Sequence, residues 1–89
     1  MGAERTASGE LTIRLEFFAQ FREDRGVDGE TVRTQSATPA ELYEELDARF
    51  HFRTKRAQAR VAVNDQLAGW DTELASGDTV VFLSPFGGG

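Results

Sequence analysis

The sequence predicts an α+β fold in which one main helix packs across a mixed sheet. Three observations carry that prediction. Leu11, Ile13, Leu15 and Phe17 alternate with Thr12, Arg14 and Glu16, the period-2 pattern of a strand with one buried face. Thr38-Pro39-Ala40-Glu41 places an N-cap hydroxyl, a proline at the first helical position and a glutamate at N3, a capping box that starts a helix. Thr79-Val80-Val81-Phe82-Leu83 is a β-branched and aromatic run that reads as a closing strand.

The elements follow in order. Residues 1–10 are small, polar and charged, and are expected to be a disordered leader. After the first strand the alternation is lost. Residues 18–25 contain good helix formers and are followed by Gly26, so a short helix with Phe21 turned inward is expected. Asp28-Gly29 signals a turn, and Thr31-Val32-Arg33-Thr34 reads as a second strand returning antiparallel to the first. In the main helix Leu42, Leu46 and Phe50, with Tyr43 beside them, form one apolar stripe, leaving Glu44, Glu45, Asp47 and Arg49 to face water. The helix should end near Phe50 or His51. Residues 52–58 have no regular period and read as an irregular connection.

Val61-Ala62-Val63 is a third strand, Asn64-Asp65 a turn, and Leu67-Ala68 a short apolar segment. Asp71-Thr72-Glu73-Leu74 resembles a single 3₁₀ turn, and Ser76-Gly77-Asp78 a turn before the last strand. Pro85 bars further ladder pairing, so the chain leaves the sheet there. Strand, strand, helix, strand, strand, with a right-handed crossover, places the first and last strands side by side and parallel at the centre. That arrangement is a β-grasp, the ubiquitin-like fold. The domain is expected over residues 11–83, with a flexible Gly-Gly tail over 84–89.

At 89 residues the chain is one domain with a modest core. It has no cysteine, so any sulfur chemistry must use sulfur from outside. A net charge of −5 argues against a nucleic-acid binder and fits a basic partner. No apolar run approaches a membrane span and the start lacks a signal-peptide centre, so a cytoplasmic address is expected. His51, the only histidine, falls at a helix C-terminus, where capping or exposure accounts for it. With no cysteine and no second histidine, no metal site is read. The helix carboxylates read as a solvated face, and Ser36, Ser76 and Ser84 as turn or end hydroxyls. Gly26, Gly29, Gly69 and Gly77 are too dispersed for a phosphate loop and read as turn residues. Trp70 is expected to be partly buried near Leu67. No active site of the domain's own emerges.

Two features remain. Phe18 and Leu83 are out of phase with the core-facing residues of their strands, and Leu67 lies at the edge of its segment; the three make an expected apolar surface patch where the tail departs. The other reading is a second small core under the loop that holds Trp70. Gly87-Gly88-Gly89 then offers a free carboxylate on a tether without side chains, able to thread a narrow channel. The alternative is a frayed end.

With these residues assembled, the chain resembles the MoaD/ThiS family of ubiquitin-like sulfur carriers, in particular its molybdopterin synthase small-subunit branch. The resemblance runs from about Leu11 to Gly89. It is carried by Leu15-Glu16-Phe17-Phe18-Ala19-Gln20-Phe21-Arg22-Glu23, by Val61-Ala62-Val63-Asn64, and by Gly77-Asp78-Thr79-Val80-Val81-Phe82-Leu83-Ser84-Pro85-Phe86 running into Gly88-Gly89. It departs from the family pattern at Ser84, where a proline is usual, and at Phe86-Gly87, which replaces a smaller pair.

The resemblance implies that Gly89 is adenylated by a ubiquitin-activator-like adenylyltransferase using ATP, then converted to a thiocarboxylate with sulfur from a sulfurtransferase. Gly88 gives clearance and Gly87 is a spacer. It implies docking on the molybdopterin synthase large subunit through Phe18, Leu67, Leu83, Pro85, Phe86 and Gly87, with no bound cofactor. Residues 84–89, extended, span about 20 Å, enough to reach into a partner's active site. The resemblance leaves open a carrier for thiamine, cysteine or another metabolite. Outside it stand a ubiquitin-like modifier conjugated to lysines and an adaptor with an inert tail.

Overall fold

The computed structural model describes residues 9–85; residues 1–8 of the leader expected over 1–10, and Phe86, Gly87, Gly88 and Gly89 of the tail expected over 84–89, lie outside them. Along the chain come β1 (Leu11–Glu16), α1 (Ala19–Arg25), β2 (Gly29–Thr34), α2 (Pro39–Phe50), a 3₁₀ turn (Arg56–Gln58), β3 (Arg60–Val63), β4 (Gln66–Ala68) and β5 (Thr79–Leu83). The strands form one sheet in the order β2-β1-β5-β3-β4. β1 and β5 are parallel neighbours, with Leu15 opposite Val80, while β1/β2, β3/β5 and β3/β4 are antiparallel.

β1 and β2 form the expected hairpin with a helical excursion in its connection. α1 stops at Gly26, whose left-handed φ of 76° suits glycine and whose N–H reaches the Arg22 carbonyl at 2.7 Å. Gly29 proves to be a strand residue rather than a turn residue. A Cβ there would lie 2.8 Å from the Leu15 carbonyl oxygen, so the close approach of β2 to β1 needs glycine. Asn64 and Asp65, both at positive φ, make the tight β3/β4 hairpin.

α2 begins as expected: the Glu41 N–H donates to Thr38 Oγ1 at 3.2 Å, with Pro39 at the first helical position. The reciprocal arm differs, because the Glu41 carboxylate accepts from the N–H of Ala37, one residue before the cap, at 2.7 Å. Leu42, Tyr43 and Leu46 are buried against the sheet. Glu45 and Asp47 do not simply face water. Glu45 accepts from the Thr34 and Ser36 hydroxyls at 2.5 and 3.0 Å, and Asp47 accepts the Phe52 N–H at 2.8 Å. Both tie α2 to the segments that flank it.

The core combines the inward residues Leu11, Ile13, Leu15, Phe17, Val61, Val80 and Phe82 with Phe21 and the α2 stripe. Its centre is aromatic. Phe21 meets Tyr43, Phe52 and Phe82 with ring centroids 5.1 to 6.0 Å apart. Phe52 belongs to this cluster although no periodicity marked it, and Leu74 is also fully buried. Leu74 is not in a 3₁₀ turn: the turn falls earlier, with the Thr72 N–H on the Gly69 carbonyl, and Leu74 then donates its N–H to Ala37. Trp70 stacks on Phe82 and meets Tyr43 edge-on. It therefore belongs to the α2 side of the sheet, and no second small core forms between it and Leu83. No helix among the described residues is long and apolar enough to cross a membrane.

Candidate functional site

The face of the sheet opposite α2 is set by strand register. Glu16 of β1 pairs with Val81 of β5, Val81 with Ala62 of β3, and Ala62 with Leu67 of β4. Residues directly across a sheet share a face, so these four form one row. One step along β5, Leu83 pairs with Arg60. Phe18, two residues beyond Glu16, keeps an extended backbone with φ −131° and ψ 157°, which carries the alternation on past the end of β1. Phe17 is thereby buried while Phe18 is 53% exposed; Leu67 and Leu83 are 71% and 37% exposed. Among large apolar side chains of the described residues, only Val27 joins these three in being so exposed. Ala19, directly after Phe18, has φ 52°, a left-handed turn that begins α1 and leaves Phe18 projecting.

The root of the tail has its own support. Ser84 follows β5 directly, is half-buried, and its hydroxyl lies 3.3 Å from that of Thr54. Thr54 is fully buried in the connection after α2, and its carbonyl accepts a hydrogen bond from the Tyr43 hydroxyl. Burial, with the carboxylates of Asp47, Glu44 and Asp24 adding to it, pushes the Tyr43 phenol far above its usual range, so it stays protonated and donating.

One residue earlier, Asp24 of α1 accepts from the Arg53 N–H at 2.9 Å, from Arg53 Nε at 2.7 Å and from the Gln20 amide at 3.1 Å. Burial opposes the ionised Asp24, but these donors outweigh it and hold its carboxyl below the usual carboxylate range. A depressed carboxyl stabilises the fold above its unfolded pKa of about 4, and that contribution disappears as pH falls through the lower folded value. Asp24→Asn should therefore cost about 1–3 kcal/mol near neutral pH, with the difference from wild type shrinking below about pH 4. Urea titrations of both proteins across the acid range check this; a difference independent of pH would overturn it.

Of the site residues expected from sequence, Phe18, Leu67, Leu83 and Pro85 fall within the described residues and all four are exposed. Phe18 and Leu83 lie at the end of the central strands from which the tail departs, while Leu67 is at the edge strand. Phe86, Gly87, Gly88 and Gly89 lie outside the described residues. Sequence reasoning missed Val81 and Ala62, which bridge Leu83 to Leu67; Val81 shares the phase of Leu83, a signal that was available. It also missed Thr54, which no local pattern marks. A surface hollow of about 550 Å³ is lined by Glu10, Arg33, Thr34, Glu41, Glu45 and their neighbours. It is polar and no β5 residue contributes to it, so its size carries no weight for chemistry at the tail. Among the described residues no group of three or more His, Cys, Asp or Glu is placed to hold a metal ion.

Central parallel strands, flanking antiparallel partners, one crossing helix and a chain leaving the last strand beside an apolar face define a ubiquitin-like β-grasp domain. The chain belongs to the ThiS family, the ThiS/MoaD group of ubiquitin-fold sulfur carriers, whose model matches residues 15–89. It is 34% identical over 80 residues to the molybdopterin synthase sulfur carrier subunit of Escherichia coli, an alignment spanning 86% of this chain and 99% of that one. A solution structure of the Haloferax volcanii HVO 2177 protein superposes with a TM-score of 0.79 at 26% identity, covering 97% of this chain and 93% of its own. A Pyrococcus furiosus structure assigned as molybdopterin converting factor, subunit 1, gives 0.71 at 29% identity, over 84% of this chain and 98% of its own.

Proposed function

We propose that the protein carries sulfur as a thiocarboxylate on Gly89 and donates it in molybdopterin synthesis. The observation that carries this reading is the near full-length similarity to the Escherichia coli sulfur carrier subunit, together with the ThiS family match that runs from residue 15 to Gly89. The chemistry requires activation, because a carboxylate would have to expel oxide. An adenylyltransferase lets a Gly89 carboxylate oxygen attack the α-phosphorus of ATP, releasing pyrophosphate. The terminal sulfur of a sulfurtransferase persulfide then attacks the acyl carbon and AMP leaves. A partner thiol cleaves the resulting acyl disulfide, becoming oxidised to a disulfide and leaving the thiocarboxylate. The chain has no cysteine, so both the persulfide and the thiol belong to partners.

In this reading the face bearing Phe18, Val81 and Leu83 docks on a synthase large subunit, with Arg14, Glu16 and Arg60 as charged neighbours on the same face. Residues 84–89 deliver the sulfur and the site is cytoplasmic. The test is the intact mass of the protein after incubation with ATP, an activating enzyme and a persulfide source. The expected gain is the difference between one sulfur and one oxygen atom, reversed on transfer to the pterin precursor in the presence of the large subunit. Absence of that gain under conditions that load a known carrier sinks the proposal. Loading followed by lysine-linked conjugates, without transfer to the pterin, would replace it with the modifier reading.

A further inference from the structure

The tail leaves the sheet at Ser84, and what holds Ser84 bears on where the tail points. Residues 52–54 belong to no helix or strand, yet each is pinned by a side chain of a helix. The Phe52 N–H donates to Asp47 Oδ1 at 2.8 Å, the Arg53 N–H donates to Asp24 Oδ2 at 2.9 Å, and the Thr54 carbonyl accepts from the Tyr43 hydroxyl. Asp47 and Tyr43 come from α2 and Asp24 from α1, so this strap is anchored to both helices. The Phe52 ring, meanwhile, is packed in the aromatic core.

The last residue of the strap is polar and wholly buried. A buried hydroxyl is unfavourable unless it is bonded, and valine would fill the same volume without that cost. The Thr54 hydroxyl faces Ser84 Oγ at 3.3 Å across 30 residues of sequence. It joins the strap to the first residue beyond β5.

We propose that Thr54 is a positioning residue for the reactive terminus: through its hydroxyl on Ser84 it fixes the direction in which the tail leaves the domain. This rests on the reading of Gly89 as the reactive group. The contact acts at the root of the tether: Ser84 is the first residue beyond β5, so what holds Ser84 sets where the path to Gly89 begins. Displacements of about 1 Å can cost reaction rate heavily when a group must meet a fixed active site. Docking through the apolar face does not depend on this contact, so its loss falls on turnover rather than on affinity.

Thr54→Val keeps the volume and removes the hydroxyl. With the activating enzyme, ATP–pyrophosphate exchange measured against carrier concentration should show KM within about twofold of wild type and kcat reduced about three- to tenfold, the range that one lost positioning hydrogen bond supplies. Thr54→Ser should restore kcat. The double variant with Ser84→Ala should be no worse than Ser84→Ala alone, because the Thr54 hydroxyl acts through Ser84. Wild-type kcat in Thr54→Val, or a loss that Thr54→Ser fails to restore, overturns the proposal. A second readout needs no activity: the ¹⁵N heteronuclear NOE at Ser84 should fall in Thr54→Val while Val80 to Phe82 keep theirs, and an unchanged value at Ser84 overturns the proposal even where the wild-type protein is not a substrate. Failure of wild type to be activated at all counts instead against the carrier reading.

Discussion

A chain lacking Gly88 and Gly89 is expected to melt within about 3 °C of the full-length protein and to accept no measurable sulfur. Removal of two terminal glycines touches none of the contacts described for residues 9–85, and changes away from such contacts are usually worth less than about 0.5 kcal/mol. The shortened chain still ends in a carboxylate, so the loss comes from reach and access rather than from missing chemistry. Two residues of extended chain are about 7 Å, and Phe86 would then stand next to the terminal residue, where glycine offered no side chain. A near-attack geometry missed by that distance should lower thiocarboxylate formation at least about a hundredfold. Paired thermal melts and intact-mass assays check both halves. Loading at the full-length rate would show that Gly89 is not the reactive residue; a collapsed melt would show that the tail contributes to the fold.

Phe21→Ala should do the opposite and weaken the fold together with everything that depends on it. Phe21 has no exposed surface, and its ring meets Tyr43, Phe52 and Phe82 at the junction of α1, α2, the strap and β5. Truncating a buried phenylalanine costs about 3–5 kcal/mol, a large part of the roughly 5–10 kcal/mol expected for a domain of this size. The melting temperature should fall on the order of 15–30 °C. Urea unfolding of the variant gives the direct measure; a loss below about 1 kcal/mol would mean that the cluster relaxes to fill the space and does not depend on that ring. The two variants separate the carrier into a part that folds and a part that reacts.

Much of this architecture is legible in the sequence because it is written locally. The alternation from Leu11 to Phe17 needs nothing beyond its own strand to announce a buried face. Thr38, Pro39 and Glu41 start α2 through contacts within one turn. Phe18 and Leu83 stand out by falling out of phase, and both are exposed. What was not legible depends on register or on tertiary contact. Ala62 joins the apolar row only because β3 pairs with both β5 and β4, and no pattern in Arg60-Val61-Ala62-Val63 fixes that pairing. Gly29 looks like half of an Asp-Gly turn until the Leu15 carbonyl is seen against it. Phe52 and Thr54 lie in a segment without periodicity, and their burial comes from α1, α2 and β5 closing around them.

The central place of β5 has a consequence for the life of the chain before it is complete. β1 pairs with β5 in parallel, Leu15 beside Val80, so two neighbouring strands of the sheet are the first and the last to be synthesised. Until the ribosome releases the final strand, β1/β2 and β3/β4 are separate hairpins with no strand between them. Closing so long a loop also makes such pairing among the later events of folding. Glu16, Val81, Ala62 and Leu67 come into one row only at that moment. A partner that recognises this row would meet it only on chains in which β5 is complete and paired.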